Sequence, residues 1–418
     1  MRALLVAHNT PWPPLGGGLV RLAQVVEAVA SVAELDLFVL HDLRRSKVVV
    51  PPTVPVTRWE GAQYPRTSPQ LRWRLDWAIR RGVPWEVAMA RADRNPRLAL
   101  RDWARPPYEA VWFSTAAAFA WMGRPDFGPT IVDLMDLDDV KARLRARLLT
   151  EQLRSGLLTE QLRSGAQGGL ARTGLAWCQA RLNGSDWRRF QRSVSAQVER
   201  VVVPSEMDAT RSRLTNVEVV PNTYPRPTRP AGNPTVSGIP VVLFQGTLGY
   251  PPNIDGAQWL TGAIAPRVRT AVPACEMRLV GRPATSVKLL HQPPMVTVVG
   301  QVPSMEVELA RATVAVVPVR YGSGTRVKIL ECFAHRVPVV STTVGAEGLD
   351  VVDGVHLLIA DDPDEFATAT VRLLGDARLR VRLTEAAERL YLDRYDGRVA
   401  DEGVRRLLAE VAGLSTRS

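Results

Sequence analysis

The clearest pattern of apolar and polar positions in the chain lies between residues 314 and 349. It opens with a β-branched run at 314–319, which is typical of a buried parallel strand. A glycine-rich turn follows at 321–325, and residues 326–334 then place Ile329, Leu330 and Phe333 on one face of a helix. A second apolar run and a second glycine-containing loop complete the pattern. This order predicts a parallel α/β sheet with both loops at the carboxyl edge of the strands, where ligands bind.

Short apolar runs of the same kind recur along the rest of the chain. Those before residue 222 lie at 2–7, 35–40, 110–114, 130–134, 199–203 and 217–220, and later ones lie at 241–245, 277–280 and 296–299. A stretch rich in Pro, Gly, Thr and Ser at 223–240 separates the two groups and is typical of a linker. We therefore predict an α/β domain at 1–222, with a helical excursion at about 140–198, and a second α/β domain at 241–390.

Two loops of the first domain carry candidate chemistry. Gly16, Gly17 and Gly18 allow close backbone approach to a ligand before a helix that begins near Leu19, although a tight turn without a ligand has the same composition. An acidic run at 133–139 begins at the end of the strand 130–134. Its last members, Asp138 and Asp139, also suit the start of a helix near Val140, so capping is an alternative to a binding role.

The helix at 326–334 begins with basic residues, which oppose the helix dipole. A phosphate bound by the free N–H groups of the first turn would explain the positions of Arg326 and Lys328. Glu331, one turn further on, can accept hydrogen bonds from sugar or ribose hydroxyls. The alternative is a surface turn whose basic side chains are simply solvated.

Composition narrows the class of partner. The 418 residues carry 53 basic and 42 acidic side chains, a net charge of +11, which suits nucleotide-sugar phosphates, anionic lipid or nucleic acid. No nucleic-acid-binding motif is visible, so we predict no nucleic-acid partner.

Three scattered cysteines show neither metal-ligand nor disulfide spacing and indicate a reducing compartment. The apolar run at 2–7 is too short for a signal peptide or a spanning helix, and we expect a cytoplasmic protein.

Two further segments stand out. Residues 71–81 mix Trp and Arg in an amphipathic pattern, which suits either a membrane interface or ordinary packing. Together with the basic net charge, this segment predicts a lipid-linked acceptor and a peripheral contact with the inner face of the membrane.

The nine residues 148–156 are repeated without change at 157–165. We expect this duplication to form an exposed hairpin without a function of its own.

The run at 315–349 resembles the donor site of the retaining glycosyltransferases of family 4, which have the GT-B fold. The family pattern places two glutamates eight positions apart, followed by an Ala-rich helix and G-x-P-V-V. Glu331 matches the second glutamate, whereas Ser323 stands at the first, so the sequence is closer to a subgroup with G-x-x-x-K-x-L-E. The segments 217–222 and 244–253 also resemble the family's V-x-V-V-P-N and F-x-G…P-N motifs.

This resemblance implies two Rossmann-like domains facing each other across a cleft, with a final helix at 391–418 crossing back to the first domain. The implied reaction moves a sugar from a nucleotide diphosphate sugar to a hydroxyl acceptor, with retention and without metal or cofactor. The implied catalytic residues are Glu331, Lys328, Arg326 and Asp136. Donor-binding residues would be Gly246, Thr247, Gly300, Gly322, Ser323, Gly324 and Thr325, together with Glu331. Acceptor-side residues would be Gly16, Gly17, Gly18, Asp133, Asp136 and Asp138.

Two other functions fit the same fold. A nucleotide-sugar epimerase would need acid–base side chains, for which His8, His41 and the acidic run at 133–139 are the candidates. A non-catalytic sugar-nucleotide-binding partner is the second alternative, which Ser323 at the first acid position leaves open. Turnover of a nucleotide sugar would distinguish all three.

Overall fold

The computed structural model describes the chain except for residues 15, 42–49, 66–81, 91–92, 155–168, 231–237 and 414–418. The chain divides into two compact units. Unit 1 comprises Met1–Pro221 and Ala400–Ser418, and unit 2 comprises Asn222–Val399. The Trp/Arg segment at 71–81 lies outside the described residues, as does the second copy of the nine-residue duplication.

Within the described part of unit 1, seven parallel strands form one sheet in the order β3-β2-β1-β4-β5-β6-β7. The inner strands are apolar and buried on both faces, as expected where helices cover a parallel sheet. The strands are β1 Arg2–Ala7, β2 Glu34–His41, β3 Val56–Gln63, β4 Ala110–Phe113, β5 Thr130–Asp133, β6 Arg200–Val203 and β7 Val217–Val219.

Helices connect these strands. They are α1 Gly17–Ala30, α2 Trp85–Ala90, α3 Asn95–Trp103, α4 Ala116–Trp121, α5 Asp138–Arg154, α6 Gly169–Ser195 and α7 Glu206–Ser212. Helices α5 and α6 pack along each other and form a helical excursion between β5 and β6. The final helix of the chain, α16 Gly397–Val411, buries Ala400, Val404, Leu407 and Leu408 in the core of unit 1 with Val220.

Unit 2 contains a second parallel sheet, of six strands in the order β10-β9-β8-β11-β12-β13. In each sheet, the first strand along the chain pairs with the fourth: β1 with β4, and β8 with β11. This pairing is characteristic of a doubly wound sheet. The strands are β8 Val241–Gln245, β9 Glu276–Val280, β10 Val296–Gly300, β11 Val314–Val317, β12 Val339–Ser341 and β13 Leu358–Ile359.

The helices of unit 2 pack on both faces of this sheet. They are α8 Pro251–Trp259, continued through a π-helical turn Leu260–Ile264 into α9 Ala265–Ala271, then α10 Thr285–Lys288, α11 Glu306–Arg311, α12 Val327–Ala334, α13 Thr343–Ala346, α14 Pro363–Gly375 and α15 Ala377–Arg394. Ile329, Leu330 and Phe333 of α12 are buried, as the sequence pattern predicts.

Several boundaries differ from the sequence prediction. Helix α1 begins at Gly17 and α5 begins at Asp138, so the glycine loop and the acidic run each contribute residues to a helix. Arg326 is the N-cap of α12 rather than part of its first turn. Strand β3 was not predicted, because its sequence VTRWEGAQ is largely polar and it lies at the edge of the sheet.

No helix in the described part of the chain is long and apolar enough to span a membrane.

Gly281 brings the ends of three strands of unit 2 into close approach. Its N–H donates to the carbonyl oxygen of Gly300 at 2.7 Å, and the N–H of Gly246 donates to the carbonyl oxygen of Val280 at 3.0 Å. A Cβ at Gly281 would lie 1.8 Å from the carbonyl oxygen of Gly246, and its φ of 126° is in the region that favours glycine. The loops after β8, β9 and β10 therefore depend on this residue.

We expect Gly281→Ala to lower the free energy of unfolding by more than about 2 kcal/mol, because backbone must move to admit the methyl group. Gly262→Ala is the matched control. Gly262 is helical and exposed, a Cβ there would have no neighbour within 4 Å, and the change should be neutral or stabilising. Urea unfolding of both variants gives the comparison, and equal stabilities would contradict the close approach at Gly281.

Candidate functional site

The candidate site of unit 2 lies where β8 and β11 are neighbours, at their carboxyl ends. The loop after β8 contains Gly246, and the loop after β11 runs from Tyr321 to Thr325 into α12. A Cβ at Gly246 would lie 2.9 Å from Nζ of Lys328, so the two loops meet directly. This is the point of a doubly wound sheet at which the strand order reverses and ligands bind.

Lys328 is held at this point by neutral partners. Its Nζ donates to Oδ1 of Asn253 at 2.9 Å and lies 4.6 Å from the centroid of the Phe244 ring. Asn253 in turn donates to the carbonyl oxygen of Thr247 at 2.9 Å. Burial lowers the pKa of Lys328 to about 7, and the positive charge of Arg326 contributes to this decrease. An anion at this site would restore the charge of the ammonium group.

Arg326 folds back over the glycine loop. Its Nη1 donates to the carbonyl oxygens of Ser323 and Gly324, the latter at 2.6 Å. A Cβ at Gly322 would lie 2.4 Å from Nη2, so glycine is needed for the guanidinium to lie there. Within the described residues, Nη2 of Arg326 and Oγ of Ser323 are both buried and neither has a hydrogen-bond partner. Buried polar atoms of this kind need an explanation, and a ligand supplies one.

Glu331 is fixed from two sides. Tyr224 Oη donates to its Oε1 at 3.0 Å, and Gln245 Nε2 donates to its Oε2 at 2.8 Å. Burial raises the pKa of Glu331 to about 7, while the Tyr224 hydrogen bond and the charge of Lys328 oppose the rise. The carboxylate therefore has a defined orientation at the same edge of the sheet as Lys328.

The remaining predicted donor residues surround this group. Thr325 is buried and its Oγ1 accepts from Nδ2 of Asn222 at 2.7 Å. Thr247 is exposed beside Gly246. Gly300 ends β10 with a φ of 86° and is linked to the Gly246 loop through Gly281. The structure thus brings every predicted donor residue to one edge of the second sheet.

The predicted acceptor-side residues lie in unit 1, and Asp133 is the most buried of them. Arg21 of α1 donates to both of its carboxylate oxygens, at 2.8 and 3.1 Å, and also to the carbonyl oxygen of Val220 at 2.8 Å. Burial raises the pKa of Asp133, and Arg21 opposes the rise. Asp133 is engaged in positioning α1 over the sheet, and a side chain 2% exposed has little surface for an acceptor.

The other two acidic residues predicted on the acceptor side, Asp136 and Asp138, are more accessible. Lys141 contacts Asp138 closely and lies 3.6 Å from Oδ2 of Asp136, whose side chain is 38% exposed. A Cβ at Gly18 would lie 3.1 Å from Cε of Met135. The glycine loop and the acidic run therefore meet at the carboxyl edge of the first sheet.

His8 and Ser114 follow β1 and β4, the neighbours at which the strand order of the first sheet reverses. Nδ1 of His8 lies 2.9 Å from Oγ of Ser114, and burial lowers the pKa of His8 to about 4. The imidazole is neutral at pH 7. Among the described residues, no group of three or more His, Cys, Asp or Glu could hold a metal ion.

The sequence of the second unit matches a known family. Residues 239–376 fit the family model described as Glycosyl transferases group 1. The match includes Gly246, the 321–325 loop, Lys328 and Glu331, whereas unit 1 lies outside it. No curated protein sequence matches the chain significantly.

Solved glycosyltransferase structures share the fold of both units. Sucrose-phosphate synthase from Thermosynechococcus elongatus superimposes with a TM-score of 0.67 at 16% identity, over 99% of this chain and 100% of that one. HepE from Anabaena, in complex with UDP and glucose, gives 0.62 at 14% identity over 98% and 100%. WaaG, a glycosyltransferase involved in lipopolysaccharide biosynthesis, gives 0.59 at 12% identity over both whole chains. The predicted GT-B fold is confirmed.

Three site residues of unit 2 were not predicted from the sequence: Tyr224, Gln245 and Asn253. Each contacts Lys328 or Glu331 from a distant part of the chain. Asn253 ends the F-x-G…P-N motif, which by itself indicates no role for it, and Gln245 was visible only as a polar residue ending an apolar strand. Tyr224, in the Pro-rich stretch predicted to be a linker, gave no signal.

We expect Lys328→Met to raise the free energy of unfolding at pH 7 by at least about 1 kcal/mol, because it removes a desolvated ammonium group. The pKa of Lys328 falls from 10.5 to about 7 on folding, so the unfolded chain binds more protons between these values. Stability should therefore rise with pH in wild type over this window. The advantage of the variant should shrink towards pH 10.

Lys288→Met, which removes an exposed lysine of α10, is the control and should change stability by less than about 0.5 kcal/mol. Urea unfolding at pH 7, 8.5 and 10 measures both variants. A Lys328→Met protein less stable than wild type at pH 7 would show that the ammonium group is favourably held in the free protein.

Proposed function

We propose that the protein transfers a sugar from a nucleotide diphosphate sugar to a hydroxyl acceptor, with retention of anomeric configuration and without a metal ion. The observation that carries this proposal is the meeting of Lys328, Arg326 and the 322–325 loop at the switch point of the second sheet, where Nη2 of Arg326 has no hydrogen-bond partner among the described residues. The ammonium group of Lys328 lies against Gly246, and the guanidinium of Arg326 lies against Gly322. Glu331 lies one turn further along α12.

This arrangement suits a leaving diphosphate. Negative charge grows on the departing phosphate oxygens as the sugar–phosphate bond breaks, and cations fixed in a desolvated site stabilise it strongly. The N-terminus of α12, which no side chain of the described residues caps, adds the positive end of the helix dipole. Arg326 and Lys328 would thereby take the part that a divalent cation plays in other phosphoryl leaving-group sites.

Glu331 is proposed to bind donor hydroxyls. A carboxylate offers about four lone-pair positions, and Tyr224 and Gln245 occupy one on each oxygen. The remaining positions can accept from sugar or ribose hydroxyls. In a retaining reaction of this kind no carboxylate need act as nucleophile, and the departing phosphate oxygen can take the acceptor proton.

The donor class is supported by the structural neighbours. HepE from Anabaena was solved with UDP and with UDP-glucose, and these complexes cover 98% of this chain. A uridine diphosphate sugar is therefore the first donor to test.

The acceptor is proposed to meet the first unit near Asp136, Asp138 and the 16–18 loop, and a lipid-linked acceptor stays a prediction.

An epimerase remains the competing enzyme. It would need an acid–base pair, and His8, the candidate best placed at the edge of the first sheet, is a weak base because desolvation lowers its pKa to about 4. Incubation of purified protein with a panel of nucleotide sugars distinguishes the two, because a transferase releases the nucleoside diphosphate whereas an epimerase returns an isomeric nucleotide sugar. Proton NMR of the glycoside gives its anomeric configuration, and EDTA tests metal independence.

We expect Lys328→Ala and Arg326→Ala each to weaken binding of the cognate nucleoside diphosphate by tenfold or more, since charge-assisted hydrogen bonds contribute about 1.5–3 kcal/mol. Binding should protonate Lys328, so wild-type affinity should fall as the pH rises above 7. Titration calorimetry in buffers of different ionisation enthalpy measures both effects. Lys288→Ala should bind as wild type does, and unchanged affinity in both site variants would refute the phosphate assignment.

We expect Glu331→Gln to keep the fold and lose most turnover, because an amide accepts hydrogen bonds more weakly than a carboxylate. Its melting temperature should be no lower than that of wild type, since a desolvated carboxyl group is removed. Glu306→Gln, at an exposed position of α11, is the control for the substitution itself. Turnover near the wild-type rate in Glu331→Gln would leave Glu331 a structural residue only.

A further inference from the structure

Tyr224 belongs to the segment by which the chain enters unit 2, directly after Pro221. Its backbone N–H donates to the carbonyl oxygen of Tyr395, and its own carbonyl oxygen accepts from Tyr391 Oη, both at 3.1 Å. A parallel bridge also links it to Asp396, close to the residue at which the chain leaves the unit. The entering and leaving segments are therefore held side by side within unit 2.

The side chains of the entering segment point to the candidate donor site. Asn222 and Tyr224 are two residues apart, and both side chains reach the segment 325–331. Asn222 donates to Thr325 of the glycine loop at 2.7 Å, and Tyr224 Oη donates to Glu331 at 3.0 Å. The ring of Tyr224 also lies edge-on to the buried imidazole of His335, with centroids 6.2 Å apart. This packing restricts where the hydroxyl can point.

We propose that Tyr224 is a positioning residue, whose hydroxyl holds the Glu331 carboxylate in the orientation needed to accept hydrogen bonds from donor hydroxyls. The inference rests on the proposed function for the role of Glu331, but the coupling of the two side chains can be measured in the free protein. Gln245 completes the arrangement by fixing the second carboxylate oxygen at 2.8 Å. Without Tyr224, Oε1 would lose its donor and the carboxylate could rotate.

The groups facing Glu331 determine its response to pH. They are Tyr224 from the entering segment, the neutral Gln245 from β8, and Lys328 and Cys332 from α12 itself. The Tyr224 hydrogen bond lowers the pKa of Glu331, so its loss should raise that pKa above about 7. The folded chain then binds more protons than the unfolded chain up to a higher pH, and stability declines with pH over a wider range.

The competing explanation is that Tyr224 only fastens the two chain segments together. Tyr391→Phe tests it, because that hydroxyl bonds the backbone of Tyr224 without contacting Glu331. Both Tyr391→Phe and Tyr224→Phe remove one hydroxyl from the same assembly. If Tyr224 only links the two chain segments, Tyr224→Phe and Tyr391→Phe should show the same pH dependence of the melting temperature.

The experiment compares Tyr224→Phe and Tyr391→Phe, each in the wild-type and Glu331→Gln backgrounds. Thermal unfolding at pH 5 and pH 8 is recorded without ligand, and titration calorimetry at pH 7 uses the tightest-binding of UDP, GDP, ADP and dTDP. We expect Tyr224→Phe to lower the melting temperature by about 2 °C more at pH 8 than at pH 5. We expect it to weaken diphosphate binding about tenfold.

Tyr391→Phe should lower the melting temperature equally at both pH values and leave diphosphate affinity unchanged. In the Glu331→Gln background, the pH dependence of the Tyr224→Phe effect should vanish, which is the coupling that a double-mutant cycle isolates. Equal pH dependence in the two Tyr→Phe variants, or an undiminished Tyr224→Phe effect in the Glu331→Gln background, would overturn the proposal. If wild type binds no nucleoside diphosphate, the proposed function fails, and the melting series alone decides whether Tyr224 positions Glu331.

Discussion

One turn of α12 places both an ammonium group and a carboxyl group at partly buried positions, where desolvation disfavours their charged forms. Burial shifts the pKa of Lys328 down and that of Glu331 up, each to about 7. Their partners at hydrogen-bond distance are neutral, and all lie outside the helix: Asn253 for Lys328, and Tyr224 and Gln245 for Glu331. Neutral dipoles offset part of the desolvation penalty without cancelling the charges. A diphosphate ester bearing hydroxyl groups would satisfy both side chains better than the free protein does.

Sheet topology explains why these partners meet. In a doubly wound parallel sheet, the strands on either side of the reversal send their following helices to opposite faces, which leaves a crevice at their carboxyl ends. Gln245 ends β8 and Asn253 lies in the first turn of α8, while Lys328 and Glu331 lie on α12 after β11. Close approach requires Gly246 and Gly281, where a methyl group would strike Lys328 or the neighbouring backbone. The close approach of the two loops thus requires glycine at these positions and also brings the charge of Lys328 next to Gly246.

Local pattern predicted the parts of this site that are continuous in sequence. The strand, glycine loop and helix of 314–334 follow from β-branched composition and from the 3.6-residue spacing of Ile329, Leu330 and Phe333. The partners of Glu331 and of Asp133 did not follow, because Tyr224 and Arg21 lie more than 100 residues from them and only tertiary packing unites them. Strand β3 escaped prediction because an edge strand is paired by backbone hydrogen bonds and needs little apolar sequence.

Ser323 has a physical consequence at the position where the family pattern has an acid. The residue is 4% exposed, and the Arg326 guanidinium donates to its carbonyl oxygen. A carboxylate buried there would pair with Nη2 of Arg326 and neutralise it. With a hydroxyl instead, Nη2 stays unpaired within the described residues and the loop keeps its positive charge. The exchange of acid for serine therefore preserves the positive charge of the loop, which in the proposed function attracts the donor phosphate and assigns the contact with donor hydroxyls to Glu331.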